Sequence, residues 1–206
     1  MKVRIFWFFF ALLLLFSVYA WIDITNLDIV GFSYLIITHR LMAVIGFVFI
    51  FMQFITSSRL KLFEEGFGLS RMIAYHRNFG RIGLFIITLH PILFLTFMAI
   101  VVGSVRIRPF LWIGIISLIG FFITAMFALF HKKWGVAYKV WINIHRANYF
   151  IFPFVLIHVF MGTSPGSLLY YLWIAFALAF IAIIIRKLYL IVHARKKAAE
   201  VKQEAE

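Results

Sequence analysis

Apolar residues run along this chain in six long blocks, separated by short polar or basic connections. The blocks fall at residues 5–21, 34–56, 74–102, 110–130, 140–161 and 168–190. An α-helix needs about 17 to 25 mostly apolar residues to cross the hydrocarbon core of a bilayer, and each block meets that requirement. The pattern therefore predicts an all-α membrane protein, a bundle of six transmembrane helices. No soluble segment, linker or low-complexity stretch interrupts the spans, so residues 1–206 read as a single domain. Lys2 and Arg4 ahead of an apolar run, followed by Val18-Tyr19-Ala20, also resemble a secretory signal with its cleavage site. The expectation adopted here is a retained first helix.

Composition strengthens the membrane reading. Of 206 residues, 65% are hydrophobic, 20% aromatic and 13% charged, whereas an ordinary soluble domain carries about 25% charged residues. The net charge of +13 arises from 20 Lys and Arg against seven acids. These basic residues sit in clusters between apolar runs, which points to topology, to anionic lipid and to an acidic docking partner rather than to nucleic acid. The second-to-third connection holds Arg59, Lys61, Arg71 and Arg77, the fourth-to-fifth holds Lys132, Lys133 and Lys139, and the tail holds Arg186, Lys187, Arg195, Lys196 and Lys197. The opposite connections hold Asp23 and Asp28, then Arg106 and Arg108, then no charge. Positive residues stay inside, so both termini are expected in the cytoplasm, with the chain an integral multi-pass protein of a prokaryotic-type plasma (inner) membrane.

The chain has no cysteine. Cysteine-ligated iron–sulfur clusters, thiolate-ligated haem, covalent haem attachment and disulfides are thereby excluded. Histidine, present seven times, is the main ligand type left.

Ionisable residues at membrane depth are costly and mark function. His76 and His90 share the third span, and His145 and His158 share the fifth. Both spans run outward, so His76 and His145 lie near the cytoplasmic leaflet and His90 and His158 near the outer one. Separations of 14 and 13 residues correspond to about 21 and 19.5 Å along a helix. Two co-directional helices thus present two histidine pairs at matching depths, each able to clamp one metal ion from both sides. Thirteen residues would leave His158 about 140° out of phase with His145 on an ideal helix; Pro153 between them is expected to kink or unwind the helix and restore the phase. The alternatives are buried histidines bonded to backbone or to each other, and zinc, which would have two histidines per site and no carboxylate nearby. Bis-histidine haem fits a cysteine-free, aromatic-rich bundle better, so the expected fold class includes two stacked b-type haems.

At these residues the chain resembles the ferric reductase-type transmembrane domain shared by ferric reductases and NADPH oxidases. His76-Arg77, Gly80-Arg81, Gly83 and His90-Pro91 are similar to that family's first ligand helix. Trp141, His145-Arg146, Tyr149 and His158 are similar to its second. The resemblance implies that His76 and His145 ligate an inner haem iron and His90 and His158 an outer one, with Arg77, Arg81 and Arg146 among the cofactor-binding residues. It also implies that Arg40, in the outer part of the second span, lies close to the outer haem and the acceptor site, where His39 beside it would help shape the pocket. Gly80 and Gly83 either admit a flat porphyrin or permit close helix packing. His131 and His193, among Lys and Arg at helix ends, are expected to be solvated or to face headgroups.

The stretch from Arg108-Pro109 through Gly114-Ile115-Ile116-Ser117 resembles the MsrQ-type haem subunit of a periplasmic methionine sulfoxide reductase system. Those proteins generally lack a histidine matching His76, so the intact quartet brings this chain nearer the full-length reductases. No Gly-rich dinucleotide motif occurs in the sequence. The expectation is a membrane electron-transfer subunit without a soluble flavin or nicotinamide domain. Its electrons would come from a separate flavoprotein carrying FMN or FAD, a reduced flavin or a quinol. They would pass to an outer acceptor such as ferric iron, dioxygen or a redox partner protein. An MsrQ-type role is the nearer alternative; a non-redox transporter or scaffold with structural histidines is the alternative of another class.

Overall fold

A computed structural model describes residues 2–25, 33–58, 60–103 and 108–203. Asp28, Arg59 and Arg106, which served above as charge markers, lie outside the described residues. The elements are α1 (Lys2–Thr25), α2 (Ser33–Ser57), α3 (Lys61–Phe67), α4 (Leu69–Phe97) closed by a π-helical turn (Met98–Val102), α5 (Pro109–Phe130), α6 (Tyr138–Arg146), α7 (Asn148–Met161) and α8 (Leu168–Gln203). Six stretches are long and apolar enough to cross a membrane: Val3–Ile22, Tyr34–Ser57, Leu69–Val102, Pro109–Phe130, Tyr138–Met161 and Leu168–Ala198. The protein is an all-helical, multi-pass integral membrane protein.

Three boundaries differ from the apolar blocks, each for a local reason. The third span starts at Leu69 rather than residue 74, because Gly68 takes a positive φ of 76° that ends α3 and starts α4 there. The last helix runs on to Gln203 rather than ending at residue 190, since its Lys, Ala and Glu residues are good helix formers even where they are too polar for lipid. The fifth span is split in two. The interruption falls at Ala147, not at Pro153, which sits inside α7. Ala147 N–H donates to Ile144 O at 3.0 Å and Phe150 N–H donates to Ala147 O at 2.8 Å, so the chain tightens through 3₁₀-type bonds at the junction. The helix break between His145 and His158 therefore lies upstream of the proline.

The long helices keep apolar faces outward. Phe8, Leu15, Ile116 and Leu178 are each more than 60% exposed, an exterior that only lipid can solvate. The buried core centres on α2, whose Val44, Phe47, Val48, Phe51, Met52 and Phe54 pack against α1, α7 and α8. Phe47 meets Trp173 edge-on at 4.7 Å, and Phe152 lies 4.6 Å from Phe54. On its other side α2 packs closely along α4. A Cβ on Gly46 would stand 3.0 Å from Ile87 N, and a Cβ on Gly83 would stand 3.0 Å from Phe49 Cβ and 3.2 Å from the Ile50 backbone. Gly80 likewise faces Gln53. Gly80 and Gly83 thus serve close α2–α4 packing.

α5 forms a second unit with α6 and α7. Among the described residues, no Cα of α4 comes within 8 Å of α6 or α7. The helices that carry the paired histidines therefore stand apart while their imidazoles reach across the gap.

Candidate histidine-pair site

Two histidine pairs bridge that gap. The ring centroids of His76 and His145 are 5.8 Å apart with planes at 81°. Those of His90 and His158 are 6.4 Å apart at 71°. Two imidazoles that hold one metal ion from opposite sides, each through a nitrogen about 2 Å from it, have centroids about 6 Å apart. Both pairs have that spacing.

The outer ring edges are held by backbone. His90 Nδ1–H donates to His39 O at 2.8 Å, and His158 Nδ1–H donates to Phe110 O at 2.8 Å. A carbonyl can only accept, so Nδ1 carries the hydrogen in both rings and Nε2 is left with its lone pair, the form a metal binds. His76 Nδ1 lies 3.3 Å from both Gln53 O and Thr56 Oγ1. Thr56 donates its own hydroxyl hydrogen to Met52 O at 2.8 Å, which leaves its oxygen free to accept from His76. His145 Nδ1 is buried with no partner among the described residues. Among the described residues no group of three or more His, Asp or Glu could share a metal ion. A group that fits these pairs must supply the rest of its own coordination sphere, as a haem macrocycle does and zinc does not. The residues present therefore fit two bis-histidine haems.

Gly114 of α5 makes room for His158. A Cβ there would stand 2.7 Å from His158 Cε1 and 2.8 Å from its Nδ1. The sequence showed Gly114 as part of a resemblance and offered no reason for it; the contact lies between two spans and leaves no periodic trace. Ala at this position is expected to push the ring off its carbonyl, since the ring cannot retreat while it holds both Phe110 O and a ligand. With haem held at both pairs, Gly114→Ala should lose the one between His90 and His158 and keep the other, as read by haem-to-protein ratio, while the chain still inserts in the membrane.

The other candidates fall as follows. His39 is buried and stacks on His90, with centroids 5.2 Å apart and planes at 27°, and its far neighbour is Phe94. Arg40 is exposed on the same helix. Arg77, Arg81 and Arg146 are exposed and hydrogen-bond to none of the histidines. His193 is exposed, as expected, and stacks on Tyr189. His131, expected to be solvated, is instead half-buried and stacks on Trp141 at 4.6 Å and 15°. Trp141 in turn stacks on His145 at 5.9 Å and 22°, the i,i+4 spacing within α6 aligning the two rings. An unbroken row of rings thus joins His131, at the turn that carries Lys132 and Lys133, to the His76–His145 pair.

Sequence reasoning passed over Lys187 as one more tail charge. Its ammonium turns onto Tyr149, which bonds on to Ser57. The signal was available: Arg186 and Lys187 stand inside an apolar run that resumes with Leu188-Tyr189-Leu190-Ile191-Val192.

The family model described as ferric reductase like transmembrane component matches residues 42–157, which takes in His76, His90 and His145 and stops one residue before His158. Comparison with curated proteins and with solved structures finds no match. By that match over more than half of its length, the chain belongs to the ferric reductase-like transmembrane family.

Proposed function

We propose that this chain carries electrons across a plasma (inner) membrane through two b-type haems. His76 and His145 hold one near the cytoplasmic side; His90 and His158 hold the other near the outer side. One observation carries the reading: two imidazole pairs, each at the spacing of a shared metal ion, with Nδ1–H of both outer-pair rings already engaged by a carbonyl. A bound haem supplies a one-electron ferric/ferrous couple. The chain does the rest. Its paired rings stand across the gap at the spacing of a shared ion, the carbonyls of His39 and Phe110 fix tautomer and ring orientation in the outer pair, and the apolar helices exclude water.

The donor reaches the cytoplasmic face and is a separate flavoprotein carrying FMN or FAD, a reduced flavin, or a quinol. At the outer face Arg40 is the exposed group suited to an anionic or oxygen-rich acceptor such as ferric iron complexes, dioxygen or a redox protein. His39, packed on His90, supports the ligand and lends its carbonyl. In this reading the chain is the electron-transfer part of a ferric reductase-type oxidoreductase.

Purified chain is expected to be red, with a reduced-minus-oxidised b-type spectrum and about two haems per chain by pyridine haemochrome. About one haem per chain would favour the MsrQ-type role. A colourless, well-folded protein would remove the redox reading and leave a transporter or scaffold.

A further inference from the structure

Lys187 sits in α8, whose polar continuation runs on to Gln203. Its ammonium does not extend along that tail. It turns inward, where Nζ donates to Tyr149 Oη at 2.6 Å and lies 4.0 Å from the ring centre. Tyr149 Oη is 3.0 Å from Ser57 Oγ at the end of α2, so three helices brace this one charge. Neighbouring Arg186 donates to the Ser58 carbonyl and anchors the same turn of α8. Lys187 is half-buried, and both of its contacts are to a neutral phenol. Ser57 adjoins Thr56, whose Oγ1 lies 3.3 Å from His76 Nδ1, and Tyr149 follows His145 by four residues, so the charge stands at the end of the bundle that holds the His76–His145 pair.

Near His76 and His145, buried Gln53 Nε2, Trp141 Nε1, His145 Nδ1 and His131 Nδ1 have no partner among the described residues. Gln53 offers its carbonyl to His76, and the other three belong to the ring row that ends at His145. In the outer pair both rings are held by carbonyls, where in the inner pair only His76 has one, at 3.3 Å. The outer rings each donate to a backbone carbonyl at 2.8 Å, an arrangement that makes imidazole a more basic ligand and favours the ferric state.

We propose that Lys187, held by Tyr149 and Ser57, is the fixed countercharge of the inner pair and makes the inner haem the easier of the two to reduce. It is a positioning residue for charge, not a ligand. Adding an electron lowers the charge of the site by one unit, which a nearby cation favours. At an effective dielectric of about 20, a unit charge within about 10 Å changes such an equilibrium by roughly tenfold. The inference rests on the two-haem reading above.

The test is a redox titration of the full-length chain, purified with both haems and followed by its reduced-minus-oxidised spectrum. The inner component is identified as the one that survives His158→Ala. Lys187→Met should shift that component about tenfold toward the oxidised form, about 59 mV for one electron, and leave the outer component in place. Lys187→Arg, which keeps the charge, should restore most of the shift. If the methionine variant does not fold, Lys187→Gln, still able to bond Tyr149, is read in the same way. An unmoved inner component, or an equal shift of both, would overturn the countercharge and leave the two-haem function standing. Wild-type chain without haem would overturn both.

Discussion

His90→Ala should cut haem content from about two per chain to about one, and His158→Ala should do the same. Each removes one of two axial ligands from the same site, and a single imidazole cannot replace the clamp. The fold should survive, because α2 and α4 also pack closely along Gly46, Gly83, Phe49, Ile50 and Ile87, away from the contacts of His90 with His39. The arrangement also predicts how the variants combine. Residues that act as a unit are non-additive, so the His90/His158 double variant should keep the same single haem as either parent. The His90/His145 double variant takes one ligand from each pair and should lose both. Haem-to-protein ratios of the four singles and these two doubles decide the pairing. Unchanged content in every single variant would show that the histidines are not ligands. A one-haem His90/His145 double would show that the pairs are drawn wrongly.

How much of this was legible in the sequence depends on whether a feature lies within one helix or between two. The six spans were legible, because hydrophobic length is a property of each segment alone. So was the way the four histidines pair, since rise per residue converts spacing into distance and the rings meet as His76 with His145 and His90 with His158. The break in the fifth span was located wrongly: proline marks where a hydrogen bond is missing, but the backbone tightened upstream, at Ala147. Features made by one helix meeting another were not legible. Gly80 and Gly83 gave no sign of which neighbour they face, and Gly114 gave no sign that His158 lies against it. His131 sits among lysines, which favours a solvated side chain, yet Trp141 covers its ring. Lys187 carried a hint in its apolar flanks, but nothing in the sequence could place its ammonium on Tyr149.

Reduction of the haems by a charged donor should slow at least tenfold between low and about physiological ionic strength. Lys132 and Lys133 are exposed at the turn after α5, and Lys139 and Arg146 are exposed on α6. Arg71 and Arg77 are exposed at the same end of α4, as are Arg195, Lys196 and Lys197 along the α8 tail. His131 adjoins the Lys132 turn, and its stack through Trp141 to His145 places that basic surface directly against the inner pair. Clustered charge of one sign raises the encounter rate of an oppositely charged partner by about 10- to 1,000-fold at low salt, and ions screen it over about 10 Å at 0.1 M. Positive-inside topology would put these residues there without any partner, so their position alone does not show docking; the salt response does. Lys132→Glu with Lys133→Glu should slow reduction at low salt and matter little at high salt, because rim charges act mainly on association rate. The haem spectrum should stay intact, since neither lysine touches a histidine of the quartet. Stopped-flow reduction by the candidate flavoprotein, followed in the b-type band across ionic strength, measures both effects. A flat salt response, with the reversed variant as fast as the parent, would exclude an acidic donor at this surface and point to a neutral one such as membrane quinol.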